Sequence, residues 1–324
     1  MKLRVGIVGV SGYGGGEALR LCATHPAFEL VYAGGEGSVG QRLVERYPGL
    51  GRLGDLQVEK WDPTRLPDLD ILFASLPTGQ SRAALAQVPA RVKIVDIGGD
   101  HRYVDGWTYG LADVWPDAVK SSTRVANPGC FPAATLAALA PLLAKGMIDT
   151  GNIIIDAKTG VSGAGRGGGE ATMGYAEVNE DLAPYGLLKH VHMPEMGRTI
   201  EKLSGGKSDG LVFTPHLAPM TRGIMATIYA RGSVTTEQCL ETARAFYANR
   251  PFVRVTDKPP HTKWATGSNL VFVSYACDPA RNLVVAMGAC DNLGKGAAGQ
   301  AVQNANLMSG LPETTGLEGV TLWP

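Results

Sequence analysis

Long hydrophobic runs are missing from this chain. Apolar runs such as Ile153-Ile154-Ile155 fall far short of the roughly 20 apolar residues needed to span a bilayer. A surplus of charge is missing too, because 30 basic side chains cancel 30 acidic ones. There is no basic block of the kind that binds nucleic acid and no acidic tail of the kind that serves as a disordered partner segment. No C-x-x-C pair occurs. The five cysteines (Cys22, Cys130, Cys239, Cys277, Cys290) are scattered and odd in number, which argues against a disulfide framework and against structural zinc. A reducing cytoplasm is the expected setting. No secretory leader is expected either: Met1-Lys2-Leu3-Arg4-Val5-Gly6-Ile7-Val8-Gly9 runs at once into a glycine-rich loop and reads as a first strand.

What the chain has in plenty is glycine, 43 of 324 residues, clustered in 9–16, 34–40, 160–169 and 294–299. Glycine runs of this kind let backbone approach a ligand closely. The length suits two domains with sizeable cores. Over the first part, strand patterns at 3–10, 29–33, 70–76 and 92–97 alternate with helical stretches such as 16–24. This predicts an α/β, Rossmann-type, doubly wound parallel sheet. After residue 130 the pattern changes to strands at 153–158, 210–214, 224–231, 268–276 and 283–287 with few helices between them. That predicts a second, α+β domain on a mostly antiparallel sheet. The expected division is a dinucleotide-binding domain of residues 1–129, completed by a C-terminal helix within 292–324, and a catalytic and oligomerisation domain of 130–291.

Gly9-Val10-Ser11-Gly12-Tyr13-Gly14-Gly15 follows the first strand and opens a helix. This is the setting in which a dinucleotide pyrophosphate meets a helix N-terminus. The spacing departs from G-x-G-x-x-G, with Ser11 in the middle glycine's place. About 20 residues further on, an acid at the end of the second strand bonds a ribose hydroxyl in NAD sites. Glu36 stands there, while Ser38 and Arg42 offer a hydroxyl and a guanidinium to a 2′-phosphate. Both readings of the loop stay open at this point, as does that of Glu36 as a solvated loop charge.

Asn127-Pro128-Gly129-Cys130-Phe131-Pro132 precedes the apolar run 133–143. Pro132 suits a first helical turn, so Cys130 is placed where free N–H groups and the positive end of the helix dipole converge. That setting favours thiolate, the nucleophilic form, and supplies donors for an oxyanion. A small buried cysteine opening a core helix is the competing reading. His190 and His192 sit at i and i+2 in His190-Val191-His192-Met193-Pro194-Glu195. They read better as a general acid/base for Cys130 than as ligands of a catalytic metal, for which no third ligand lies near; no metal is expected. Arg102 follows a strand at the carboxyl edge of the first domain and suits a phosphate. Arg222 suits a substrate carboxylate, and Asp291-Asn292-Leu293-Gly294-Lys295-Gly296 reads as a backbone-exposing loop.

Taken together these segments resemble the N-acetyl-γ-glutamyl-phosphate reductase family of the aspartate-semialdehyde dehydrogenase group. The likeness also rests on Thr159-Gly160-Val161-Ser162-Gly163-Ala164-Gly165-Arg166, on Phe213-Thr214-Pro215-His216-Leu217-Ala218-Pro219-Met220-Thr221-Arg222-Gly223, and on Asp291 to Gln300. The resemblance implies NADPH-dependent reduction of an acyl phosphate through a cysteine thioester, in arginine biosynthesis, by a cytoplasmic homodimer or homotetramer. It implies Cys130 as nucleophile and His192 as acid/base. Ser162, Gly163 and Asn292 fall at the nicotinamide, and Arg102 and Asn127 at the phosphate. Glu195, Arg222 and Gln300 are candidates for orienting substrate. Members of the family often carry Ser-Arg after the second strand, where this chain has Gly34-Gly35-Glu36. A carrier-linked aminoadipate-phosphate reductase and a catalytically silent nucleotide sensor are the competing functions.

Overall fold

The protein is described by a computed structural model that covers residues 2–166 and 174–322. Residues 167–169 of the glycine-rich stretch 160–169 therefore lie outside the described residues. Two compact units form. One takes in Met1–Pro128, the short piece around Arg166, and Ala297–Gly319; the other runs from Gly129 to Ala164 and on to Gly296. The last few residues were expected with the first domain. Leu322 instead donates its N–H to Thr266 of the second unit at 3.0 Å.

In the first unit the chain runs β1 (Leu3–Val8), α1 (Tyr13–Thr24), β2 (Phe28–Gly34), α2 (Leu43–Arg46), β3 (Ile71–Ala74), α3 (Ser81–Leu85), β4 (Lys93–Asp96), β5 (Thr108–Tyr109), α4 (Pro116–Lys120) and β6 (Arg124–Ala126). The strands form one parallel sheet in the order β2-β1-β3-β4-β6-β5. Both its faces are covered, which is why β3 reads as a continuous apolar run and the last four residues of β1 are buried. The helix Gly299–Met308 packs against α1, α4 and β4. Every residue of it is buried, including Gln300, Gln303, Asn304 and Asn306. Such burial is tolerable only where the amides find partners. Gln303 bonds Asp113 at 3.1 Å and Glu313 at 2.7 Å, and Asn306 bonds Thr315 O at 2.8 Å.

In the second unit the order is α5 (Cys130–Ala144), β7 (Asp149–Gly160), α6 (Tyr175–Val178), β8 (Ala183–Pro184), α7 (His192–Ser204), β9 (Leu211–Ala218), β10 (Ile224–Arg231), α8 (Thr236–Phe246), β11 (Val253–Val255), β12 (Val271–Asp278) and β13 (Leu283–Cys290). The sheet order is β11-β12-β13-β10-β7-β9-β8, antiparallel except at β11–β12 and β7–β9. Helix α5 lies on one face with α7 and α8. Pro141 interrupts its ladder and frees the carbonyl of Ala137. The hydroxyl of Tyr247 donates to that carbonyl at 2.8 Å, and Tyr275 donates to Ala138 O at 2.9 Å. Gly288 lets the helix approach, because a Cβ there would strike the Ala134 carbonyl. These contacts fix the helix whose first residue is Cys130.

The opposite face of this sheet carries exposed large apolar side chains. Ile154 is a cross-strand neighbour of both Tyr229 and Val212, and all three are exposed. Phe272 lies on β12 of the same sheet. It packs edge-on to Trp264, with centroids 5.6 Å apart.

Candidate active site

Cys130 is the first residue of α5, with Gly129 as its N-cap in extended conformation. Two side chains of α7 meet Gly129. A Cβ on Gly129 would strike the His192 imidazole at Nε2, so only glycine lets the ring lie flat on the backbone next to the cysteine. One helical turn on, Glu195 is buried and its Oε1 accepts the Gly129 N–H at 2.9 Å. Residues at i and i+3 share a helix face, which is how one helix supplies both. Glu195 was expected to orient substrate. Its carboxylate instead takes up one of the N–H groups that a helix start leaves without an intrahelical partner. On another side, Gly296 comes close enough that a Cβ there would lie 2.8 Å from Cys130 Cβ.

The two histidines separate clearly. His190 lies half-buried among Phe131, Tyr185 and Phe213, with ring centroids 5.6, 5.5 and 5.2 Å away. Its Nδ1 accepts the backbone N–H of His192 at 3.1 Å, which requires that nitrogen to be unprotonated. Burial pushes its pKa below the ordinary 6.5. Burial also raises the Tyr185 hydroxyl, with the nearby Cys130 adding to the shift. His192 is the first residue of α7.

Further along the second unit, Asn292 has both ends of its amide committed. Nδ2 donates to Ser162 Oγ at 2.9 Å, and Oδ1 accepts the Gly223 N–H at 2.8 Å. Gly163 lies alongside, where a Cβ would be 3.8 Å from Asn292 Nδ2. The Arg222 Nη1 is 3.3 Å from Asp291 Oδ2. Asp291 is fully buried and also accepts N–H groups of Leu293, Gly294 and Gly267 at 2.8, 3.0 and 2.7 Å. Asp291 thereby ties the 291–296 loop to Arg222.

In the first unit the glycine loop meets the test of close backbone approach. Gly9 has φ +85°, and a Cβ on it would fall on the Ser75 carbonyl; one on Gly15 would fall on Gly9 O. At Gly12 a Cβ would make only an ordinary contact, 3.6 Å from Gly9 O. The first N–H groups of α1, at Tyr13, Gly14 and Gly15, lack intrahelical acceptors by position. These residues fit a pyrophosphate. Ser11 Oγ and Ser38 Oγ are 2.5 Å apart, which joins two of the expected cofactor residues. Arg42 does not join them. It is paired outward with Glu45 at 3.5 Å and Asp55 at 3.3 Å. The guanidinium that reaches the loop is that of Arg46, whose Nη2 donates to Ser11 O at 3.2 Å. Tyr47 Oη donates to Val10 O at 2.8 Å. Neither residue carries a local motif that would have pointed to it.

Two residues expected at the substrate are buried. Asn127 is fully buried; its Nδ2 donates to Ala297 O at 3.0 Å and its Oδ1 accepts from Asn304 at 3.0 Å. Gln300 is also fully buried, with Nε2 on Gly110 O at 3.1 Å. Asn127 has both ends of its amide committed within the first unit, whereas Gln300 keeps a buried Oε1 without a hydrogen-bond partner. Arg102 donates through Nε to Asn127 O at 2.9 Å, and Gly99 at φ +95° leaves room for its guanidinium. Its loop is held by His101, which bonds Asp96 at 2.7 Å and stacks on Trp107 at 3.8 Å.

Among the described residues no group of three or more His, Cys, Asp and Glu side chains gathers to hold a metal, and no helix is long and apolar enough to cross a membrane.

Residues 4–122 match the family model described as semialdehyde dehydrogenase, NAD binding domain, and residues 130–292 match semialdehyde dehydrogenase, dimerisation domain. The chain is 74% identical to the N-acetyl-gamma-glutamyl-phosphate reductase of Bradyrhizobium sp. (strain ORS 278), over 100% of both chains. It is 71% identical to that of Methylobacterium sp. (strain 4-46), also over 100% of both. With that of Salinispora arenicola (strain CNS-205) it shares 44% identity over 99% of this chain and 100% of the other. In fold it is similar to aspartate semialdehyde dehydrogenase II of Vibrio cholerae complexed with ASA, with TM-score 0.75, 19% identity, and 95% of this chain and 98% of that one covered.

Proposed function

Because the chain belongs to the family of N-acetyl-γ-glutamyl-phosphate reductases, we propose that it reduces N-acetyl-L-glutamyl 5-phosphate to N-acetyl-L-glutamate 5-semialdehyde, with release of phosphate and with NADPH as reductant, in the cytoplasmic synthesis of arginine. The observation that carries the chemistry is Cys130 at the start of α5 with the His192 ring against its N-cap. Cys130 Sγ attacks the acyl carbon, the C–O bond to phosphate breaks, and a thioester forms on the protein. A thioester accepts hydride more readily than a carboxylate does. The bound nicotinamide supplies that hydride. His192 Nε2 holds the proton that the resulting thiohemiacetal oxygen must gain and then lose; its collapse expels Cys130 Sγ and frees the aldehyde. Glu195 acts through Gly129 as a positioning residue. Arg102 is the candidate for the leaving phosphate and Arg222 for the substrate carboxylate. Ser162, Gly163 and Asn292 form the clamp offered to the nicotinamide.

The reaction is testable in reverse. Oxidation of N-acetyl-glutamate 5-semialdehyde should require phosphate and should show higher kcat/KM with NADP than with NAD. Equal or better kcat/KM with NAD would assign Glu36 to the ribose hydroxyls and end the NADPH reading.

The second unit matches a dimerisation domain, and we assign the contact to the face of Ile154, Val212 and Tyr229. Wild-type protein at micromolar concentration should show an oligomeric mass by light scattering. Ile154→Lys, which places a charge at the centre of the apolar cluster, should shift it toward the monomer. A monomeric wild type would remove the assignment.

A further inference from the structure

We propose that Arg46, and not Arg42, is the residue that makes this chain discriminate for a ribose 2′-phosphate; the proposal rests on the NADPH reading above. A phosphate dianion needs donors and positive charge. Residues just past the second strand of such a sheet meet the ribose, and here they are Gly35 and Glu36. Glu36 is exposed and brings the wrong sign. The cation must therefore come from elsewhere in the fold.

Arg42 is spent. It caps α2 and is shared between Glu45 and Asp55 on the surface. Arg46 is placed differently. One nitrogen, Nη2, is fixed on Ser11 O. Its Nε is shielded from solvent and has no hydrogen-bond partner, and no carboxylate among the described residues pairs with it. A shielded donor without an acceptor costs free energy until something fills it. A guanidinium has five N–H donors in a planar fork, so most of its capacity is unspent.

The surroundings point the same way. Ser11 Oγ touches Ser38 Oγ, and a Cβ on Gly35 would lie 3.4 Å from Ser11 Oγ. The end of β2, the two hydroxyls and Arg46 thus converge at Ser11. Tyr47 anchors the end of α2 to the glycine loop through Val10 O, which sets the place of Arg46 independently of its charge. Arg166 adds a second guanidinium, held 5.1 Å from the Tyr13 ring centroid and 5.6 Å from that of Tyr47.

The test is calorimetric binding of adenosine 2′,5′-bisphosphate and of adenosine 5′-monophosphate, which differ only in the 2′-phosphate. It uses the full-length wild type, Arg46→Leu, Arg46→Lys and Arg42→Ala. Wild type should prefer the bisphosphate. Arg46→Leu should cut that preference by roughly 10–100-fold, the scale of lost charge-assisted bonds, with the monophosphate nearly unaffected. Arg46→Lys should restore part of it, and Arg42→Ala should retain it in full. The inference is overturned if Arg42→Ala erases the preference while Arg46→Leu keeps it. It is also overturned if Arg46→Leu weakens both nucleotides alike, which would mark a role in holding the loop only. A wild type with no preference would defeat the NADPH reading itself, and this inference with it.

Discussion

Cys130→Ser should abolish turnover, by about 10⁴-fold or more, the scale on which a lost nucleophile shows, while the fold and nucleotide affinity stay unchanged. The side chain stands at the first position of α5 with Gly296 close beside it, and serine fits that space. Helix α5 itself is held by thirteen buried residues, from Phe131 to Leu143, and by the tyrosine bonds behind Pro141. None of these involves the thiol. What serine loses is chemistry. Its hydroxyl stays protonated where a thiol ionises, and an oxygen ester accepts hydride less readily than a thioester. Mass spectrometry gives a second readout. Wild type mixed with the acyl phosphate and no reductant should gain the acyl mass on the peptide containing Cys130, and the serine variant should not. Turnover within about tenfold of wild type in a clean serine preparation would exclude Cys130 as the nucleophile.

The next largest effect belongs to the histidine pair. His192→Asn should lower kcat by about 10²–10⁴, the usual loss when a general acid/base is removed. His190→Asn should lower kcat by less than about tenfold and act mainly on stability. The reason is geometric. His190 uses its Nδ1 to accept the His192 N–H and its ring to fill the space between Phe131, Tyr185 and Phe213. Its folded pKa lies below 6.5 because burial disfavours the charged ring. As pH falls below 6.5 the unfolded chain takes up the proton first, so the contribution of His190 is full above that value and shrinks below it. Thermal melts should show this acid sensitivity in wild type and lose part of it in His190→Asn. If His190→Asn gives the larger loss in kcat and His192→Asn the larger loss in melting temperature, the two roles must be exchanged.

Much of this molecule is written in local sequence. A short strand followed by glycines at 9, 12 and 15 reads as a strand-to-helix turn that suits a nucleotide, and Pro132 after Cys130 marks a helix start. The change from alternating strand and helix to successive strands divides the chain near residue 129. These features are local because backbone conformation and hydrophobic period depend on neighbours a few residues apart. Asn127, Gln300, Glu195 and Arg42 were legible only as polar residues in suggestive places. What each one does depends on partners distant in sequence: Asn304 for Asn127, Gly110 for Gln300, Gly129 for Glu195 and Asp55 for Arg42. Arg46 had no mark at all, and its meaning comes from a bond to Ser11. His190 and His192 likewise differ in what the fold places around them: Tyr185 and Phe213 lie against the His190 ring, and Gly129 against that of His192. Residue order sets where the chain turns, but whether a polar side chain is free to meet a ligand depends on which of its hydrogen bonds the folded neighbours have already taken.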